Sequence, residues 1–159
     1  MSNLGIMPGT FDPITAGHIN LLERSLRIFN KVIVAVAPNP KKKPLFSLQE
    51  RLELVRASTA HLEGVSAETI DGLLVEHVSN SGGAAIIRGL RAVSDFEYEL
   101  QMALMNRRLN DNIETVFMMP SEEYSYITST IIKEVASFGG RVDGLVSSPV
   151  YQALKLKFS

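Results

Sequence analysis

A histidine, a lysine triplet and two arginines are the residues of this chain whose types and positions suit a single chemistry, the holding of phosphate groups. His18 closes the segment Pro8-Gly9-Thr10-Phe11-Asp12-Pro13-Ile14-Thr15-Ala16-Gly17-His18, where a short apolar run gives way to the start of a helix. A helix N-terminus offers unpaired N–H groups and positive potential to an anion. Gly17 allows a ligand or a loop to approach the backbone closely. A histidine at that point can donate a hydrogen bond to a phosphate oxygen as charge builds on it. The segment is neither a Walker loop nor a G-x-G-x-x-G fingerprint, so the two commonest phosphate cradles are absent. A tight turn with an incidental histidine would read the same way, and the neighbouring segments have to decide.

The lysine triplet Lys41-Lys42-Lys43 precedes Pro44 and follows the run Lys31 to Ala37. Lysines in a loop are commonly a solvated surface. At the carboxyl end of a strand, however, one of them can reach a bound anion. Arg88 ends an otherwise apolar run, Ala84 to Arg88, and Arg91 follows three residues later, beyond Gly89. Two guanidiniums at one strand end match the oxygens of a phosphate. Asp95, Glu97 and Glu99 lie close enough in sequence for a structural ion pair instead. The segment Pro120 to Thr130 ends in hydroxyl residues that suit another helix N-terminus.

The elements that must position these groups alternate. Strands are expected at Leu4 to Met7 (broken by Pro8-Gly9), Lys31 to Ala37, Val65 to Ile70, Ala84 to Arg88 and Glu114 to Met119. Helices are expected at Gly17 to Phe29, Ser47 to about Ala60, Leu73 to Asn80, Ser94 to about Leu109, Thr128 to Phe138 and Pro149 to Lys157. Ser47 with Glu50, and Ser94 with Glu97, have capping-box spacing. This alternation implies right-handed crossovers and an α/β, Rossmann-like three-layer domain with a five-stranded parallel sheet, spanning residues 1–159. In such a sheet ligands sit beyond the carboxyl ends of the strands where strand order reverses, which is where His18, the lysines and the arginines would lie.

Composition sets outer limits. Of 159 residues 45% are apolar and 21% charged, as in a globular protein. Sixteen basic against seventeen acidic residues give a net charge of −1, so neither nucleic acid nor an anionic membrane is an expected partner. The absence of cysteine removes disulfides and thiolate catalysis and fits a reducing compartment. No apolar run of about 18 residues exists and the first residues lack the pattern of a signal peptide, so a cytoplasmic location is expected. Met102, Met105, Met118 and Met119 read as core or interface filler. His61 and His77 have no partner at the spacing of a metal site, and no protein-held metal is assigned.

Taken together, PGTFDPITAGH, KKP, RGLRAVSDFEYE and YSYITST, in this order and along the whole chain, resemble the phosphopantetheine adenylyltransferases, nucleotidyltransferases with a T/H-x-G-H signature. The resemblance implies that AMP is transferred from ATP to 4'-phosphopantetheine, with His18, Lys42 and Arg91 acting on the transferring group. It implies Thr10, Phe11, His18, Gly89, Leu90, Arg91, Glu99 and the loop Tyr124, Ser125, Tyr126, Ile127, Thr128, Ser129 and Thr130 for ATP. Thr10, Lys42, Leu74 and Arg88 would bind phosphopantetheine. Mg²⁺ with the nucleotide, a homohexamer and feedback by coenzyme A are implied in the same way. The chain has Ile-Thr-Ser-Thr where the pattern usually has Ile-Ser-Ser-Ser or Ile-Ser-Ser-Thr, and Thr128 keeps the hydroxyl. Two other readings stand beside this one: a nucleotidyltransferase with a different acceptor, such as nicotinate mononucleotide, or with CTP as donor, and a nucleotide sensor without turnover.

Overall fold

In the computed structural model, which describes residues 3–91 and 96–159, five parallel strands form one sheet. They are β1 (Leu4–Gly9), β2 (Lys31–Val36), β3 (Val65–Thr69), β4 (Ala85–Gly89) and β5 (Glu114–Met118), in the order β3-β2-β1-β4-β5. The chain winds outward from β1 through β2 to β3, then crosses back to lay β4 on the other side of β1. The reversal therefore falls between β1 and β4. The helices are α1 (Ala16–Ser25), α2 (Leu48–Thr59), α3 (Leu74–Asn80), α4 (Phe96–Leu109), α5 (Ser129–Ser137) and α6 (Ser148–Lys157).

The near-continuous apolar runs of β1, β2 and β4 arise because both faces of the sheet are covered. Met7, Val32, Val34 and Ile87 point into a core shared with Leu22 of α1, Val55 of α2 and Leu154 of α6. Their neighbours Ile6, Ala35 and Ile86 point the other way, against Val75 and Val78 of α3. Fully burying a side chain of this size contributes about 1.5–3 kcal/mol.

Strand β1 runs through Pro8 and Gly9 rather than stopping before them. Its ladder with β2 continues to Gly9↔Val36, whereas its ladder with β4 ends at Ile6↔Ile86. The carbonyl of Pro8 faces the β4 side, where it accepts from the Arg88 guanidinium at 3.2 Å. An N–H at residue 8 would face the same way, where no ladder remains to need it, so proline is tolerated. The splay of β1 from β4 opens a crevice at the point of reversal.

Helix α1 ends at Ser25, short of the expected Phe29, and tighter turns carry the chain through Ile28 to the buried Phe29. The Ser47–Glu50 capping box forms with both arms made, Glu50 N–H donating to Ser47 Oγ and Ser47 N–H to Glu50 Oε2. The Ser94–Glu97 box lies partly outside the described residues. Two single turns of 3₁₀ helix, Pro40–Lys42 and Glu122–Tyr124, occupy segments expected to be loops. Helix α4 buries only Asn106 among its residues and exposes Tyr98, Leu100, Met102, Leu104, Met105 and Leu109. Met102, Met105 and Met119 are thus not core residues in this chain.

Candidate active site

The crevice at the reversal deepens into a cleft of about 1110 Å³, walled by the carboxyl ends of β1 and β4 and by the starts of α1 and α5. Of the expected positions, Thr10, Phe11, His18, Lys42, Leu74, Arg88, Gly89, Arg91, Glu99, Ile127, Thr128, Ser129 and Thr130 line it. Among the described residues four cations, Lys42, Arg88, Arg91 and Lys133, face it against two carboxylates, Asp12 and Glu99. A chain close to neutral overall thus concentrates positive charge at one place.

His18 is set by the helix it helps to start. Thr15 caps α1, accepting from the His18 N–H through its hydroxyl, while its own N–H donates to His18 Nδ1 at 2.9 Å. The pair is a capping box with histidine in the place usually held by Glu or Gln. Because Nδ1 accepts, the neutral ring carries its proton on Nε2 and offers that N–H to the cleft. Burial, and then the charges of Arg91 and Arg88, lower the His18 pKa to about 4. The Phe11 ring lies tilted against it, centroids 4.9 Å apart. Phe11 holds a left-handed backbone, φ 50, a strained conformation for such a residue and of the kind that collects at functional sites. Gly9 leaves room for that ring, since a Cβ there would come within 2.9 Å of it.

The depressed value has a direct consequence. The unfolded chain takes up a proton on this ring near pH 6.5 and the folded chain only near pH 4, so His18 costs stability as pH falls between them and has no effect above. Imidazole carbon–proton NMR signals of His18 should stay in the neutral position at pH 5.5 and keep the Nε2–H tautomer. A midpoint near 6.5 would contradict this account.

The lysine loop leaves β2 at Ala37 and turns through Asn39 and Lys43, both with left-handed backbone. Its 3₁₀ turn brings Lys42 to the cleft wall, whereas Lys41 and Lys43 are not part of it. Asn39 Nδ2 donates to Thr10 Oγ1 at 2.8 Å, linking this loop to the one after β1. Arg88 is paired within the cleft. Its Nε donates to Glu99 Oε2 at 2.9 Å and its Nη2 to Glu99 Oε1, a forked pair within the cleft. The ion pair weighed against a ligand-binding role for the two arginines is thus present at Arg88, which also lines the cleft. Arg91 Nη1 donates to the carbonyl of Ile127, just ahead of α5, whose Thr128 cap accepts from the Ile131 N–H.

Residues that sequence reasoning passed over hold these loops in place. Asp12, 4% exposed, accepts from the Leu45 and Phe46 N–H groups and from Lys133 Nζ of α5 at 2.8 Å. Asn20 of α1 exchanges two hydrogen bonds with Ser121, and Ser129, one of the expected positions, adds a bond from its Oγ to the Pro13 carbonyl. Leu90, Tyr124, Ser125 and Tyr126 stand outside the cleft wall. Leu90 N–H extends the sheet by donating to Met118, Tyr124 packs over Gly17, Ser125 Oγ donates to Glu122, and Tyr126 is exposed. A Cβ at Gly17 would meet Tyr124 only at an ordinary 3.7 Å, so close approach does not by itself demand glycine there. His77 pairs with Glu68 of β3, and among the described residues no cluster of three metal-ligating side chains exists.

With this geometry the comparisons with known proteins agree. The cytidylyltransferase-like family matches residues 6–135. A phosphopantetheine adenylyltransferase from Thermodesulfovibrio yellowstonii is 51% identical over 159 residues, covering 99% of each chain. The chain belongs to the phosphopantetheine adenylyltransferase family. A candidate nicotinate-nucleotide adenylyltransferase of known structure from Vibrio parahaemolyticus shares the architecture, with a TM-score of 0.72 over 98% of this chain and 93% of its own. At 18% identity that likeness speaks for the fold alone. The four segments that carry the resemblance to phosphopantetheine adenylyltransferases each contribute residues to the one cleft.

Proposed function

We propose that this chain transfers the adenylyl group of ATP to the phosphate of 4'-phosphopantetheine, forming dephospho-coenzyme A and releasing pyrophosphate. The observation that carries the reading is the convergence of His18 from α1, Lys42 from the turn after β2, and Arg88 and Arg91 from the end of β4 on one cleft at the sheet reversal, in a chain half-identical to a relative of that name. A phosphate oxygen of the acceptor forms a bond to the α-phosphorus while the bond from that phosphorus to the bridging oxygen of pyrophosphate breaks. The attacking oxygen is already anionic, so the protein need supply neither nucleophile nor strong base. Alignment of the two substrates and electrostatic stabilisation of the transferring group account for the catalysis. His18 Nε2–H and the Lys42 ammonium serve the equatorial oxygens. Arg91 and the N-terminus of α5 serve the nucleotide phosphates.

Among the described residues both carboxylates that line the cleft are engaged, Asp12 by Lys133 and Glu99 by Arg88. Mg²⁺ therefore fits as an ion carried by the nucleotide's phosphates rather than by a protein cage, and it would neutralise charge on them. The exposed apolar face of α4 supports a homohexamer, which light scattering checks. Coenzyme A carries the same pantetheine arm and would compete for Lys42, Leu74 and Arg88. The lack of cysteine supports a cytoplasmic setting.

Purified protein with ATP, Mg²⁺ and 4'-phosphopantetheine should release pyrophosphate and form a product with the mass of dephospho-coenzyme A. ATP binding without that product would sink the reading. Arg88→Ala should weaken phosphopantetheine binding by about 10- to 100-fold, the worth of one charge-assisted contact of about 1.5–3 kcal/mol, with less effect on ATP. Isothermal titration showing normal affinity would reject the assignment.

A further inference from the structure

Arg51 lies on α2, 2% exposed, and its guanidinium is spent entirely on main-chain carbonyls. Nε donates to Phe46 at 3.1 Å, Nη1 to Thr10 at 2.9 Å and to Ala37 at 2.6 Å, and Nη2 to Pro38 at 2.9 Å. These acceptors belong to three segments: the loop after β1, the loop after β2 and the approach to α2. A buried cation is a poor way to add stability, since well-packed apolar residues commonly do as well. Its fork is, however, suited to fixing several carbonyls at once. Asp12 grips the same region from the other side, taking the Phe46 N–H while Arg51 takes the Phe46 carbonyl. Lys42 sits in the stretch between Pro38 and Leu45, so both ends of its loop are clamped.

We infer that Arg51 is a positioning residue, which holds Thr10 and the Lys42 loop in register at the acceptor side of the cleft. This rests on the function proposed above, in which Thr10 and Lys42 meet the acceptor phosphate and Arg51 touches neither substrate. Arg51→Lys keeps the charge but offers its donors from a single point, and cannot serve carbonyls on three segments. It should raise KM for phosphopantetheine and lower kcat, together by about tenfold or more in kcat/KM, with KM for ATP little changed. In a Lys42→Ala background the same change should cost less, because only Thr10 is then left to position. Trypsin should cut after Lys41 and Lys42 faster in Arg51→Lys than in the unaltered protein, at equal rates elsewhere. Arg51→Gln runs beside it, so that one poorly folded variant does not decide. Equal effects on both substrates, full additivity with Lys42→Ala and an unchanged cleavage rate would overturn the inference. Should the unaltered protein make no dephospho-coenzyme A, the proposed function fails, and the cleavage rates alone decide for or against the clamp.

Discussion

His18→Ala should lower kcat by about 10²-fold or more, the usual result of losing a donor aimed at developing charge. The substitution also removes the acceptor for the Thr15 N–H, so α1 loses one arm of its capping box. That loss is worth about 1 kcal/mol and is separable from the kinetic effect by measuring unfolding in parallel. His18→Asn gives a second comparison: its shorter side chain can rebuild the cap without reaching the transferring phosphoryl. The expected signature is a large fall in kcat with modest change in either KM, since the neutral Nε2–H matters most when charge spreads over the equatorial oxygens. Single-turnover rates within about twofold of the unaltered protein would remove His18 from the mechanism.

Asp12→Ala should cost about 3 kcal/mol of folding stability, read from the denaturant midpoint at constant slope. Removing this carboxylate leaves the Lys133 ammonium and the Phe46 and Leu45 N–H groups unpaired, and takes away an anion that favours the charge of the buried Arg51. Burial alone would raise the Asp12 pKa. The bonds from Lys133, Phe46 and Leu45 more than offset it, and the net shift is downward. A carboxylate lowered in the folded state stabilises above the unfolded pKa of about 4, and that contribution is lost as pH falls through the folded value. The stabilities of the parent and of Asp12→Ala should therefore converge in acid. An unchanged midpoint at neutral pH would dismiss the pin.

The parallel sheet was readable because its strands are buried on both faces and stand out as apolar runs, and because capping residues such as Ser47 with Glu50 mark helix starts locally. The cleft-lining polar residues were readable for a related reason: His18, Lys42, Arg88 and Arg91 stand at or shortly beyond the carboxyl ends of strands, where topology converts position into proximity. What escaped was long-range. Arg51 occupies an ordinary place in Leu48-Gln49-Glu50-Arg51-Leu52, and nothing near it announces that the carbonyls of Thr10, Ala37 and Pro38 meet there with that of Phe46. Lys133 and Asp12 are 121 residues apart, and Asn20 is 101 from Ser121. The end of β1 was misjudged because Pro8 reads as a strand breaker unless its open side is known. Helix α1 was overextended because Leu26 and Phe29 continue its apolar spacing while the chain beyond Leu26 tightens into three-residue turns.

Where the β1–β4 ladder ends, a side chain does the work of a missing strand: Arg88 satisfies the Pro8 carbonyl and grips Glu99 with the rest of its fork. An acceptor phosphate that draws Arg88 to itself would release that carbonyl to water. Residue 8 has no amide proton, so this event is silent to hydrogen exchange. It would show instead as a shift of the carbonyl stretch in the infrared, isolated by a carbon-13 label on Pro8, and that vibration becomes an internal reporter of when the acceptor side of the cleft is filled.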